Sequence, residues 1–573
     1  MTEPIAPIRS LIRAAIAAAW EASGLGGAEA LGDGSVVEIE VERPSKPEHG
    51  DLSTNLAMKL ARPLRRSPME IAATLRIALV GGVTNAGAPS GGARSARAMN
   101  AGLIASADVA PPGFLNLRLT DEVLASTVAQ ILRRPDDWGR VAPIRRRKVN
   151  VEFVSANPTG PLHIGNARGA FVGDLLCRVL EAGGQTVTRE YYFNDSGAQI
   201  SVLGASVAAL RRGEPLPDDA YRGPYVGELA EALPDSVWAD ATAAGADTPD
   251  IVGRWAAGRV REGIEASLER LGVHFDVWTS EARLHDEGWV ARAIERLREH
   301  DHVYEEGSAL WFRSTAFGDD KDRVILRSDG RPTYFAADIG YVVEKFGRGF
   351  DHLIYIWGAD HHGTVARVRN AAAAMGYDPD AVQMLLYSWV RFIRDGVEVS
   401  MSKRAGEFVT LDELLAEVGV DAARWSFASR AATSAIDFDI ELAKKQSAEN
   451  PVYYVQYAHA RIASILRKAA DSGLAPADGI GAVIAGEPEG LLTRTVVRFP
   501  EVVEDAVLSE ETQGICAYAT SLATQFHAFY RDARVVDPAA PDRSSERLAL
   551  ALATRTTLAN ALGLLGITAP ESM

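Results

Sequence analysis

The chain has 573 residues, of which 47% are hydrophobic and 24% charged, with a formal net charge of −16. Such values exclude a fibrous, low-complexity or disordered chain and fit a globular protein of about three or four domains. Two cysteines in apolar helical surroundings, Cys177 and Cys516, exclude a disulfide framework and a zinc site, and no apolar run reaches the roughly 18 residues of a membrane span.

A cytoplasmic protein without a membrane partner is therefore expected. The acidic excess argues against a polyanionic partner, yet basic residues cluster at Arg62, Arg65 and Arg66, at Arg145-Arg146-Arg147-Lys148, at Arg211-Arg212 and at Lys444-Lys445. Net charge thus does not exclude RNA.

Residues 1–120 read as a small α/β domain. Apolar periodicity predicts helices over 8–22, 55–62 and 68–78 and strands over 35–41 and 114–119. The Gly-, Ala- and Ser-rich stretch 82–101 is expected as a flexible loop. A helix over 121–132 and a linker over 133–143 lead into the next unit, so that 121–145 forms the connection.

Residues 149–154, rich in Val and Phe, predict a strand that the cluster Asn157-Pro158-Thr159-Gly160-Pro161 stops. After His163-Ile164-Gly165 come apolar residues at helical spacing, Ala170, Val172, Leu175, Leu176, Val179 and Leu180, closed by Gly183-Gly184. A second strand over 185–193 completes a parallel crossover unit. Its first turn sets a helix N-terminus, with its positive dipole, at the carboxyl edge of a sheet, where phosphates bind. Neither G-x-G-x-x-G nor G-x-x-x-x-G-K-[ST] stands at that turn. Helical material, with a strand over 272–278, is expected to interrupt the sheet over about 214–306.

Two short motifs then carry a resemblance. Pro161-Leu162-His163-Ile164-Gly165-Asn166 resembles the HIGH signature of class I aminoacyl-tRNA synthetases. Ser400-Met401-Ser402-Lys403-Arg404, after the strand-like 389–399, looks like their KMSKS loop. The resemblance implies a doubly wound, Rossmann-like catalytic domain over 146–410 and ATP binding by Pro161, His163, Gly165, Asn166, Met401, Ser402 and Lys403. His163, Asn166 and Lys403 would stabilise charge on the phosphoryl oxygens, with Mg²⁺ accompanying ATP and no structural metal. Asn166 stands where a second histidine is usual in that family and Ser400 where a lysine is usual, which puts rate and ATP affinity in question rather than the reaction.

Further segments resemble the arginyl-tRNA synthetase family. His49-Gly50-Asp51, Thr54-Asn55-Leu56-Ala57 and Pro112-Gly113-Phe114-Leu115-Asn116 look like its N-terminal additional tRNA-binding domain, and the insertion 214–306 like its connective region. A planar guanidinium with five donors calls for carboxylates set for two-point bonding. Glu152 and Asn157 near His163, and Tyr334 and Asp338 four residues apart on a predicted helical turn, resemble the family's arginine pocket. Lysine would leave such buried acceptors unpaired. Asp360 and His361, in Trp357-Gly358-Ala359-Asp360-His361-His362-Gly363, are further possible ligands, for substrate or for a metal.

From residue 410 the pattern is helical, with helices over 412–418, 422–429, 492–507, 511–531 and 545–563 and a long one from Asn450, whose first turn holds Pro451. Residues 411–573 resemble the family's all-α anticodon-binding domain, in which Tyr453, Tyr454 and Tyr457 are placed to stack on unpaired bases. The resemblance implies an arginine–tRNA ligase, a monomer that takes ATP, L-arginine and tRNA-Arg and requires tRNA before it activates the amino acid. The alternatives are a class I synthetase for another amino acid such as cysteine, or a synthetase-like RNA-binding protein without catalysis.

Overall fold

A five-stranded sheet lies at the centre of the computed structural model, which describes residues 4–25, 37–80, 102–143, 145–195, 197–399 and 410–573. The strand order is Val382–Tyr387, His352–Gly358, Lys148–Phe153, Thr186–Phe193, Val277–Ser280, and all four pairings are parallel. The chain enters at the middle strand, winds to one edge, then returns to build the other side. The gap between the carboxyl ends of Lys148–Phe153 and His352–Gly358 is therefore the switch point at which doubly wound sheets bind ligands.

Burial on both faces explains why the middle strand reads as nearly continuous apolar sequence. Val149, Val151 and Phe153 are buried, and so are Asn150 and Glu152. The helix Ile164–Ala182 follows. Gly173 lets it press on this strand, because a Cβ there would come within 2.2 Å of the Phe153 ring.

The region 214–306 holds helices but also Val277–Ser280, the edge strand of the central sheet. A three-stranded antiparallel sheet, Val303–Glu306, Ala309–Phe312 and Arg323–Leu326, comes next. The expected strand-like segment 389–399 is a hairpin, Val390–Arg394 with Val397–Glu398, turned at Asp395 and Gly396 with φ of 50° and 77°, as Asp-Gly hairpin turns require.

In the N-terminal part, Ile8–Ala22, Leu56–Leu64 and Pro68–Val80 are helices and Phe114–Leu119 is the central strand of three. The strand expected over 35–41 does not form in its described residues, 37–41; only a bridge from Glu42 to Ser53 joins that segment to the sheet. Ile104–Ala110 takes the edge instead. The expected loop 82–101 and the motif Ser400-Met401-Ser402-Lys403-Arg404 lie outside the described residues.

The C-terminal part is a helical bundle. The helix expected over 492–507 is two, Glu487–Val496 and Phe499–Ser509, with Pro500 in the first turn of the second, since proline has no N–H to continue the first. Ion pairs fasten the N-terminal domain to this bundle: Arg43 Nε to Glu501 at 2.7 Å and Arg494 Nε to Asp51 at 2.9 Å. Asp51 also accepts from the Leu119 amide at 2.8 Å. Gly50, at φ 97°, presses on the Leu117 carbonyl, which gives His49-Gly50-Asp51 a structural meaning.

Candidate active site

A cleft of about 1160 Å³ opens at the switch point. Its walls include Glu152, Asn157, His163, Gly165, Asn166, Tyr334, Asp338, Asp360 and His361, so the chain gathers residues from widely separated sequence into one cavity. Pro161 does not line it. Met401, Ser402 and Lys403 lie outside the described residues, but the residues on either side do not: Val399 lines the cleft and Thr410 bridges to His163, with the Leu411 amide donating to the Leu162 carbonyl at 3.1 Å.

His163 caps the helix Ile164–Ala182, and its backbone N–H donates to Asn166 Oδ1 at 3.2 Å. The Asn166 side chain thus closes a capping box, a structural duty that its carboxamide performs as glutamate or glutamine does elsewhere. Gly165 is needed here, because a Cβ would lie 2.8 Å from His163 Nδ1. One turn further on, the fully buried Arg168 donates to four carbonyls, those of Ser388 (2.7 Å), Trp389 (3.1 Å), Ala431 (2.9 Å) and Ser434 (2.6 Å). This guanidinium staples the start of the helix to the segment beyond the sheet.

The strand end behind His163 bends sharply. Val154 and Ser155 have φ of 68° and 43°, sparsely populated values for residues other than glycine and a form of strain found at ligand sites. Hydrogen bonds hold the bend: Tyr191 Oη donates to the Ala156 carbonyl at 2.9 Å and the Tyr192 amide to Ser155 Oγ at 3.2 Å. Asn157 follows, exposed, its Nδ2 donating to Gln199 Oε1 at 2.9 Å.

Facing that bend is the helix Tyr334–Gly347. Tyr334, Asp338, Tyr341 and Lys345 fall on one of its faces by their spacing, and the sheet opposes them with a polar row in register, Tyr355, Glu152 and Glu190. Lys345, wholly buried, donates to Glu152 Oε2 at 2.7 Å and lies 4.1 and 3.9 Å from the ring centroids of Tyr341 and Tyr355. Ser155 Oγ donates to the other oxygen of Glu152 at 3.1 Å. Glu190 accepts from Arg348 Nη2 at 2.6 Å, from Thr279 at 2.6 Å and from Tyr341 at 2.5 Å. Burial opposes its ionisation, yet Lys345 and Arg348 hold it below the ordinary carboxylate range.

Asp338 differs. Burial, Glu152 and Glu281 together push its carboxyl up to about 7, and no cation among the described residues pairs with it. Glu281, at the start of the helix Glu281–Asp286, accepts from Tyr192 Oη at 2.7 Å. Three acids therefore converge, and one, Glu152, already has a lysine. What is left uncompensated is a place for a cation. Tyr334 stands at the mouth, 71% exposed. Asp360 and His361 are on the rim, mostly exposed, with Oδ2 and Nε2 3.7 Å apart.

Glu281, Tyr192 and Lys345 escape a motif-based reading. The last left a signal, being seven residues after Asp338 on the same predicted helix. Outside the lining of the cleft, Tyr453 and Tyr457 lie in near-parallel planes at 6.4 Å, Tyr454 packs on His527 at 5.0 Å, and Arg461 lies over Tyr457 and Tyr530. Tyr457 is 39% exposed.

The catalytic-domain model of class I tRNA synthetases (R) matches residues 127–217 and 254–461, more than half of the chain. The chain belongs to the class I arginyl-tRNA synthetase family. Its class is that of the ligases. The arginyl-tRNA synthetase N-terminal domain model matches residues 7–82 and the DALR anticodon-binding domain model residues 455–573. A Campylobacter jejuni structure described as an arginyl-tRNA synthetase is 33% identical, with 79% of this chain and all of that one covered and a TM-score of 0.72. The arginyl-tRNA synthetase of Thermus thermophilus is 25% identical over 99% of this chain and all of that one, with a TM-score of 0.74. That of Plasmodium falciparum, 15% identical over the full length of both, shares the fold with a TM-score of 0.72. Among the described residues no helix is long and apolar enough to cross a membrane.

Proposed function

We propose that the cleft carries out arginine–tRNA ligation in two steps. The α-carboxylate of L-arginine attacks the α-phosphorus of ATP, pyrophosphate leaves, and the 3′-terminal hydroxyl of tRNA-Arg then attacks the acyl carbon of the adenylate as AMP departs. The observation that carries the reading is Asp338: a half-buried carboxyl among other acids, in the same cleft as a capped helix N-terminus.

In this reading the guanidinium meets Asp338 and Glu281, with Glu152 completing the acidic wall through its bond to Lys345. Tyr334 covers the guanidinium from the mouth, and Asn157 takes the α-amino group, for which Asp360 and His361 are further candidates. Phosphates lie at the N-terminus of Ile164–Ala182, where the backbone amides and dipole favour anions and His163 lines the same wall. Lys403 would neutralise the leaving pyrophosphate. Among the described residues no group of three or more His, Cys, Asp or Glu side chains is set closely enough to hold a metal ion, and Mg²⁺ is read as entering with ATP. Residues 1–120 and the insertion 214–306 are read as tRNA-contacting, 146–410 as catalytic, and 411–573, with Tyr453, Tyr454 and Tyr457, as binding the anticodon. The working form is read as a cytoplasmic monomer.

Exchange of labelled pyrophosphate into ATP, run with tRNA and a panel of amino acids, tests the reading. Exchange with arginine alone is expected; exchange with cysteine or lysine at a comparable rate, or with none, would overturn it.

A further inference from the structure

The loop 154–162, which carries Asn157 and runs into His163, is held from outside the cleft. Tyr225, the second residue of the helix Pro224–Ala232, donates from Oη to the Thr159 carbonyl at 2.8 Å. Its ring presses on the next residue, since a Cβ on Gly160 would lie 3.2 Å from Oη and 3.3 Å from Cζ. The Thr159 amide donates in turn to the Asn157 carbonyl at 2.8 Å, so the clamp reaches the main chain of Asn157 through a single residue. Burial pushes the Tyr225 phenol above its ordinary range, and near neutral pH it is a donor.

The side chain of Asn157 meets the same frame. Gln199, to which its Nδ2 donates at 2.9 Å, lies in the first turn of the helix Ala198–Arg212. That helix is tied to the segment before Tyr225 by its buried Ser206, whose Oγ accepts from the Tyr221 amide at 3.0 Å. It also crosses the helix Thr248–Arg270 at bare glycines: a Cβ on Gly204 would come within 1.8 Å of the Pro249 carbonyl oxygen, and one on Gly253 within 2.2 Å of that of Ile200. Interiors packed this closely transmit a displacement rather than absorb it. Tyr225 itself does not line the cleft; what it reaches there it reaches through the loop.

We infer that Tyr225 is a positioning residue for the α-amino end of arginine, its hydroxyl and ring fixing Thr159 and Gly160 so that Asn157 Oδ1 is placed to accept from the substrate ammonium. This rests on the reading that Asn157 takes the α-amino group.

Calorimetric titration of the full-length protein, with tRNA-Arg present and ATP absent, tests it with three ligands: L-arginine, agmatine, which keeps amine and guanidinium but lacks the carboxylate, and δ-guanidinovalerate, which lacks the amine. Tyr225→Phe keeps the ring on Gly160 and removes only the hydroxyl. It should raise the Kd for arginine and for agmatine about 10-fold, the scale of one hydrogen bond, and leave that for δ-guanidinovalerate unchanged. Gly160→Ala, which forces the same contact open from the other side, should show the same selectivity. Equal weakening of all three ligands in Tyr225→Phe would mark a general structural role and overturn the inference, as would no weakening at all. Asn157→Ala separates this from the reading it rests on. Selective loss in Asn157→Ala with none in Tyr225→Phe overturns the inference alone, whereas no selectivity in Asn157→Ala overturns the α-amino assignment and the inference with it.

Discussion

Asp338 keeps its proton to about pH 7 because burial and two acids, Glu152 and Glu281, oppose its charge. The unfolded chain releases that proton near pH 4. Between these values the native state holds more protons than the unfolded one, so this group's contribution to stability falls as pH rises from about 4 to 7. Asp338→Asn should flatten that decline, leaving the variant as stable as the unaltered protein near pH 4 and more stable at pH 8 without arginine, as thermal unfolding would show. Arginine binding needs the ionised form, so kcat/KM for arginine should climb with pH through about 7. In Asp338→Asn it should drop by about 100-fold or more, the loss of a charged hydrogen-bonding partner. Glu152 teaches a related lesson about reading sequence. Its place on the strand after which His163 follows was legible, but its pairing with Lys345 was not, because a contact between residues 193 apart depends on which helix the chain lays over which strand. Lys345→Met leaves Glu152 buried and unpaired and should destabilise the fold by about 3 to 5 kcal/mol, measurable by denaturant unfolding.

At the level of elements, the helix Ile164–Ala182 works through its first turn. Gly165→Ala improves intrinsic helix propensity by about 1 kcal/mol, yet its Cβ would meet His163 Nδ1 at 2.8 Å. The variant should keep or raise its melting temperature while pyrophosphate exchange falls at least about 10-fold, since catalysis is sensitive to displacements of this size. The strand–turn–helix–strand unit was legible because its apolar period changes at a Gly- and Pro-rich break. Ile104–Ala110 was not, since Ile104-Ala105-Ser106-Ala107-Asp108-Val109-Ala110 offers small and polar residues whose strand state is imposed by pairing with Phe114–Leu119. The stripe Tyr334, Asp338, Tyr341, Lys345 sat between these cases: its first two members stand out as a pair, and its full meaning needs the opposing row Tyr355, Glu152, Glu190.

For the molecule as a whole, Arg424 joins parts distant in sequence. Its buried guanidinium donates to Asp174 at 2.8 Å on the helix Ile164–Ala182, to the Leu271 carbonyl at 2.7 Å and to the Leu565 carbonyl at 3.3 Å beyond the last helix. Gly566, at φ 65°, has no room for a side chain against it. Arg424→Met should lower the melting temperature by several degrees, because it strips donors from buried carbonyls and a partner from Asp174, which retains Arg178 at 2.7 Å. The order of domains could be read from motifs; the pairs Arg43–Glu501 and Arg494–Asp51 that lock the N-terminal domain to the bundle could not. The central claim is that an uncompensated acidic site beside the Ile164–Ala182 N-terminus holds the substrate guanidinium. A crystal structure of the protein with L-arginine tests it most directly: the guanidinium should lie within hydrogen-bonding distance of Asp338 and Glu281, with its carboxylate towards His163, whereas a guanidinium bound elsewhere, with Asp338 left untouched, would contradict it.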